Sequence, residues 1–575
     1  MKILIAFLLA ALVVLVFGEA ASFGIVNLDD VIYLQDRADQ YGLKWAFTWV
    51  GDAMWTPLTW LSYWADRTLF GEAWGCYHLH SIGLHALNSI VLFLLIAAVF
   101  GRKDSWGVLV AFFCALAWAI HPLRVESVVW LASRKDCIST LFFLLALLSW
   151  VRSKGWFGLA GALLLVCVGG LGKSSVMVFP VFALAIDFLI VGRRKPVWAY
   201  VAAFALAGVL AYEAAWAQKA GGACSVTSTV PFWYKLLNAA AAHSVYAFNH
   251  VFPFRLAVQC QLKCPGWPRY SVVGGILVCL CVRHVYVWAR KCHESKTVGR
   301  SPIVAGLLIY FLAIFPFLGL SGFGSHSLAD RFTILPDIGL VLAIYGFVAS
   351  IPASKWHRWA LTAASVFLVG ALGWGANSYA KCWADEELLF RQTLKIDGED
   401  NLLAYGELVM HYYEREHDFE KMYQAGLHLL NGAEWQQCSF SYLGPILIEA
   451  AYETGHPKEA MDFYYWQLHW EQEKIKCLQK EDPRIGTTEL IELSEVARLA
   501  YTDGQLDEAK RKLKELEKDC SENFLFRNLR YVLARRGGNP QDIREALRSA
   551  YSPSNEAVLH NSWALREAAE MDATK

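Results

Sequence analysis

The run HPLRVESVVWLASRKD, residues 121–136, places Arg124, Glu126, Arg134, Lys135 and Asp136 between two apolar segments. An ionised group beside a bilayer costs free energy unless it is paired, solvated or engaged with a ligand, so this cluster marks a site before any fold is known. What kind of site depends on the topology around it.

Of the 575 residues 56% are hydrophobic and only 18% charged, the balance of an integral membrane protein. Apolar segments fill the chain as far as Asn377, and the remainder is rich in Glu, Lys, Asp and Arg. The sequence therefore divides into a membrane domain, residues 1–377, and a soluble domain, residues 378–575. With 52 basic and 52 acidic residues there is no excess of positive charge to attract a nucleic acid. The lipid bilayer is the partner surface, and no nucleic acid is expected.

Apolar runs cover Met1 to Phe17, Tyr77 to Phe100, Ser105 to Ile120, Cys137 to Val151, Trp156 to Leu171, Ser175 to Val191 and Val197 to Trp216. Four more follow: Ser271 to Ala289, Pro302 to Leu320, Phe332 to Ile351 and Trp359 to Ala376. By length these make about eleven spans of an all-α polytopic bundle. The first is read as a retained span, with a cleaved signal peptide as the alternative.

A cytoplasmic N-terminus puts Arg102/Lys103, Arg152/Lys154, Arg193/Arg194/Lys195, Arg283 to Arg300 and Lys355/Arg358 all on the inner face, as the positive-inside rule requires. The segment Trp233 to Phe252 would spoil this alternation by crossing, so it is expected at the outer interface or as a re-entrant helix. An odd number of spans then leaves the soluble domain outside, with the loops 19–76 and 121–136. Arg124, Arg134, Lys135, Lys173 and Arg331 become cations on the unexpected face. An anionic ligand there is one cause; pairing with Glu126, Asp136 and Asp330 is the other, including a structural pair of Lys173 with Asp330.

The outer loop 19–76 opens with NLDDVIYL, residues 27–34. Adjacent carboxylates such as Asp29 and Asp30 push their pKa values apart, so one can accept a proton while the other orients a hydroxyl or holds a divalent metal. A helix N-cap is the plainer use of such a pair. The aromatic stretch WTPLTWLSYWADRTLFG, residues 55–71, suits the headgroup plane. His78, His85 and Asn88 share a helical face that suits polar contacts inside a bundle better than a metal. Cys260 and Cys264 lie close enough in one loop to form a disulfide in an oxidising compartment, while Cys114, Cys167 and Cys279 sit in apolar runs and read as packing.

Taken in order, NLDDVIYL, the Trp-rich stretch, HLHSIGLHALNSIVLF (78–93), HPLRVESVVWLASRKDCIST (121–140), LGKSSVMVFPVFALAIDF (171–188), ADRFTILPDIGL (329–340) and a helical soluble tail resemble the transmembrane-and-tetratricopeptide-repeat family of membrane glycosyltransferases. The resemblance implies a C-type glycosyltransferase fold that takes a sugar, commonly mannose, from a polyprenyl-phosphate carrier on the outer or lumenal face, with an acceptor protein or glycan as partner. It maps the family's catalytic acidic pair onto Asp29 and Asp30, and its charged block onto His121, Pro122, Arg124, Glu126, Ser127, Trp130, Arg134, Lys135 and Asp136, with Gly172-Lys173 retained. Leu28 and Thr56 depart from the family's longer acidic run and its His.

Such a transfer needs a carboxylate to take the acceptor's proton and fixed cations to hold the departing phosphate. Asp29 or Asp30 is the expected base. Arg124, Arg134, Lys135 and Arg331 are the expected phosphate ligands, oriented by Glu126 and Asp136, with His121, Lys173 and Asp330 beside them. The sequence makes no cofactor certain, and a divalent metal between the acidic pair and the phosphate stays open.

In the tail, helical patterns recur over Leu402 to Leu430, Phe440 to Trp470, Glu489 to Leu516 and Phe526 to Ser549. AAYETGHPKEAMDFY and ARLAYTDGQLDEAKRKL align Gly455 with Gly504 and Ala460 with Ala509, the pattern of an irregular tetratricopeptide-like array. Stacked hairpins form a groove that could hold an acceptor protein. Two other function classes fit the chain: a noncatalytic scaffold recruiting partners through its repeats, and a transporter of a lipid-linked sugar. Transport would place polar residues deep in several spans, whereas here they gather at one edge. Short loops and a compact tail favour a bacterial inner membrane with the tail in the periplasm; a eukaryotic source would place it in the endoplasmic reticulum lumen.

Overall fold

A computed structural model of the chain describes residues 2–26, 28–34, 42–51, 53–102, 104–220, 232–258, 268–295, 299–320, 328–351, 354–432 and 443–456, together with 458–460, 462–463, 466, 496, 505–520, 530, 533 and 541–542. The loop cysteines Cys260 and Cys264 and the last expected hairpin, apart from residues 530, 533, 541 and 542, lie outside them. Among the described residues the fold is all-α. The only strand-like contact is one isolated bridge between Gly51 and Met54.

Each expected apolar run is helical. The helices are α1 (Lys2–Phe17), α2 (Asp29–Tyr33), α3 (Trp45–Thr48), α4 (Pro57–Phe70), α5 (Trp74–Phe100), α6 (Ser105–Ala119), α7 (Val125–Val129), α8 (Arg134–Arg152) and α9 (Trp156–Gly172). There follow α10 (Phe179–Ala185), α11 (Val197–Ala220), α12 (Phe232–Val251), α13 (Pro268–Glu294), α14 (Pro302–Ile314), α15 (Pro336–Ser350), α16 (Lys355–Ala380) and α17 (Glu386–Asp397). Among the described residues, six helical segments are long and apolar enough to cross a membrane, and a seventh if α6 and its continuation count as one; Trp156–Gly172, Pro302–Phe317 and Pro336–Ser350 are shorter apolar helices. The protein is a multi-pass membrane protein.

Local chemistry sets the helix ends. Asp104 and Ser301 cap α6 and α14 by accepting from the N–H groups of Gly107 and Val304, both at 3.2 Å, which satisfies donors that the helix itself leaves open. Pro302 and Pro336 start their helices, where a missing N–H costs nothing. At Pro122 the effect is the opposite. The chain turns by 55° between α6 and the segment Pro122–Val129, because Pro supplies no N–H to extend α6 and restrains the residue before it. That bend brings the block 121–136 back across the bundle.

The unit that contains the bundle runs from Met1 to Asp397, beyond the boundary expected at 377. Its extra length is packed in place. Trp383, Leu389 and Phe390 are buried, and the Thr393 hydroxyl donates to the Val258 carbonyl at 3.1 Å. The other unit runs from Gly398 to Lys575. Its described helices include α18 (Leu402–His411), α19 (Phe419–Leu430), α20 (Gly444–Glu453) and α21 (Leu506–Cys520). Ala460 and Ala509 are buried as the aligned repeats require, and Gly455 takes φ 81° at its turn, a conformation that only glycine adopts freely.

Candidate functional site

The acidic pair is divided by its hydrogen bonds. Both oxygens of Asp30 accept from backbone, from Val26 N–H at 3.0 Å and from Ala132 N–H at 2.7 Å. Burial pushes its carboxyl up to about 7, against the opposing pull of those two N–H groups and with a further push from Asp29. Asp29 is half-buried, and among the described residues no hydrogen bond reaches its carboxylate. The first carboxylate of the pair is therefore open and the second is a clamp between the start of the outer loop and the block 121–136. A divalent cation, which takes one or two carboxylates together with phosphate oxygens, would find Asp29 here and not the pair.

Of the two causes expected for these cations, a ligand or internal pairing, the structure shows protein partners for most of them. Arg134 has no exposed surface; it pairs with Asp66 at 2.5 Å, donates to the Tyr77 carbonyl at 2.9 Å and to Ser81 at 3.1 Å, and lies over the Tyr63 ring. Lys135 donates to the Tyr33 hydroxyl at 2.9 Å and sits 4.3 Å from that ring's centre. Lys173 pairs with Asp136 at 2.7 Å, not with Asp330. Arg124 is also fully buried. Its partner is Asp337 at 2.8 Å rather than Glu126, and the same nitrogen donates to the Thr333 hydroxyl. Desolvating a charge is repaid only by such pairing, which is why four of the five cations serve the bundle.

Arg331 differs. It is the most exposed of the five, with 11% of its side chain accessible. Glu126 holds it twice, accepting from its backbone N–H at 2.9 Å and from its guanidinium. The guanidinium lies 5.1 Å from the Trp130 ring centre and within electrostatic reach of Asp29. Next to it, burial raises the Asp330 carboxyl well above the ordinary range, and Glu126 adds to that.

His121 caps the turn after it, its Nδ1 accepting from Leu123 N–H at 3.2 Å, and its Nε2 lies 3.2 Å from the His250 carbonyl. His78, His85 and Asn88 meet the carbonyls of Gly24, Ala119 and Cys137, polar contacts inside the bundle and not a metal face. Sequence reasoning missed Asp66, His250, Thr333 and Asp337. Asp66 and Asp337 lay within quoted motifs, as the acids of WADR and LPDIG, but nothing in the spacing joined them to Arg134 or Arg124.

No family model matches the chain, and no solved structure does. Curated proteins do. The mouse protein O-mannosyl-transferase TMTC3 is 24% identical over 413 residues, 64% of this chain and 43% of its own length. The human TMTC3 is 32% identical over 125 residues, 21% of this chain and 13% of its own length, and the human protein O-mannosyl-transferase TMTC1 34% over 124 residues, 21% and 12%. The chain is similar to these protein O-mannosyl-transferases over part of its length. It spans less than half the length of the curated relatives it matches. Glu126, which grips Arg331, and Asp30, which grips Ala132, both sit in the blocks that carried the resemblance.

Proposed function

We propose that the chain is a membrane mannosyltransferase that moves its sugar from a polyprenyl-phosphate carrier to protein hydroxyls on the outer or lumenal face. The names of its relatives support the sugar and the acceptor class. One observation carries the site: an open carboxylate, Asp29, within electrostatic reach of the one partly exposed cation of the cluster, Arg331.

In this reading the acceptor hydroxyl loses its proton to Asp29 as its oxygen bonds to the sugar's anomeric carbon. The bond from that carbon to the carrier phosphate breaks, and the electron pair leaves with the phosphate. Arg331 meets the charge that develops there, its planar fork suited to two phosphate oxygens. Glu126 keeps the guanidinium in place, and Asp30 holds Asp29 at the loop's root. The helical hairpins after Gly398 would present the acceptor protein.

The test is transfer from radiolabelled polyprenyl-phosphate monosaccharides to proteins, in membranes carrying wild type or Asp29→Asn. Mannose transfer that disappears in the variant supports the reading. If wild type transfers from no donor while the tail still captures partners, the chain is a scaffold.

A further inference from the structure

A chain of hydrogen bonds runs from His250, outside every motif the sequence presents, through Asp337, Arg124 and Thr333 to the Asp330 carbonyl, one peptide bond from Arg331. His250 Nε2 on α12 lies 2.7 Å from Asp337 Oδ1 on α15. The other oxygen of Asp337 accepts from Arg124 Nη2 at 2.8 Å. That nitrogen also donates to the Thr333 hydroxyl, which in turn donates to the Asp330 carbonyl at 2.8 Å. Asp330 to Thr333 is a single 3-10 turn, and Arg331 is its second residue. The turn is thus held at its start by Glu126, through the Arg331 N–H, and at its end by Arg124, through Thr333.

All the links except His250 are buried below a tenth of their surface, and Arg124 spends its Nη2 on Asp337 and Thr333. They are built to fix a backbone. We propose that His250, Asp337, Arg124 and Thr333 are positioning residues for Arg331, and that they act on phosphate recognition only through it. This rests on the reading of Arg331 as the phosphate ligand. It also gives α12 a part in the site, although that helix lies in the stretch where the family resemblance is weak.

A buried chain of this kind works by limiting the freedom of the group it ends on. Without the Thr333 hydroxyl the turn keeps Glu126 but loses its second anchor, and Arg331 must then pay an ordering cost on each binding event. In a double-mutant cycle, residues that act through one another are non-additive, whereas independent structural contributions add.

The experiment uses the full chain in detergent and compares binding of farnesyl phosphate with binding of farnesol, so that the difference isolates the phosphate. Wild type is expected to prefer the phosphate. Thr333→Val should cut that preference by roughly tenfold to a hundredfold, the loss of one hydrogen bond to a charged group, and Thr333→Ser should restore it. Arg331→Ala should abolish the preference, and adding Thr333→Val to it should change nothing further. His250→Gln, at the far end of the chain, repeats the test if Thr333→Val does not fold. The inference is overturned by a wild type that does not distinguish phosphate from alcohol, by a Thr333→Val that keeps the full preference, or by losses that add in the double variant. If the cycle behaves as stated but no sugar is transferred from any donor, the transferase reading falls and the positioning chain stands. If sugar is transferred but Thr333→Val matches wild type, the reverse holds.

Discussion

Ala132 donates its backbone N–H to Asp30 at 2.7 Å across 102 residues of sequence, so the second acid of the pair is committed to the fold. The first is not. Asp29→Asn is expected to lower sugar transfer by roughly a hundredfold or more, the usual worth of a general base, with an unchanged melting temperature. Asp30→Ala is expected to show its effect first as instability, because two buried N–H groups lose their acceptor at about 1–3 kcal/mol each. Melting curves of the two variants beside their transfer rates separate the roles; equal losses of stability would refute the division.

The same clamp makes stability depend on pH. Asp30 has its carboxyl raised by burial to about 7 in the folded chain, against about 3.9 for an unfolded Asp. Between those values the folded state holds a proton that the unfolded state has released, so stability is greatest at the acidic end and falls as pH rises through 7. Above that the loss is complete and no longer changes. The melting temperature of wild type should therefore decline from pH 5 to pH 8, and the Asp30→Asn variant should decline less over the same range. A parallel decline in both would assign the effect to other groups.

The bundle was legible because unbroken apolar runs have one stable use. The charge pairing was not. Arg124 and Asp337 are 213 residues apart and His250 and Asp337 are 87 apart. Which residues face each other depends on how the helices rotate about their axes. Helices that are apolar all round carry no stripe from which to read that rotation. The block 121–136 stood out from its charge and the pair Asp29-Asp30 from the resemblance, yet which carboxylate each cation meets could be read only from packing. The soluble unit shows the same limit: the buried Ala460 and Ala509 followed from the repeat pattern, while a boundary at Asp397 needed the buried Trp383 and Phe390.

Arg134 provides a direct check on that distinction. It is fully buried with Asp66 2.5 Å away, and Asp66 also meets His80 at 2.8 Å. Arg134→Ala strands a buried carboxylate and is expected to cost roughly 3–5 kcal/mol. The pair of changes Arg134→Met with Asp66→Asn removes both charges and should recover much of that. In whatever fraction folds, the preference for farnesyl phosphate over farnesol should match wild type. A folded Arg134 variant that has lost the preference would return Arg134 to the phosphate site.

Gly306 and Gly339 let α14 and α15 pack with their backbones in contact. A Cβ on Gly306 would run into the Gly339 carbonyl and Ala343, and one on Gly339 into Ile309 and the Gly306 carbonyl. These obstacles are backbone or helix-borne side chains that cannot step aside, so Gly306→Ala is expected to destabilise by about 1–3 kcal/mol through overpacking. The effect should extend to the site, because α15 carries Asp337 in its first turn and a helix pushed away from α14 draws Asp337 off Arg124. Gly370→Ala on α16 is the control. A Cβ there meets nothing within 4 Å, and its effect should be neutral or a gain of a few tenths of a kcal/mol from helix propensity. The expected result is that Gly306→Ala lowers both the melting temperature and the phosphate preference, while Gly370→Ala lowers neither. Loss of stability in Gly306→Ala with an intact phosphate preference would show that the crossing holds the bundle without reaching Arg331.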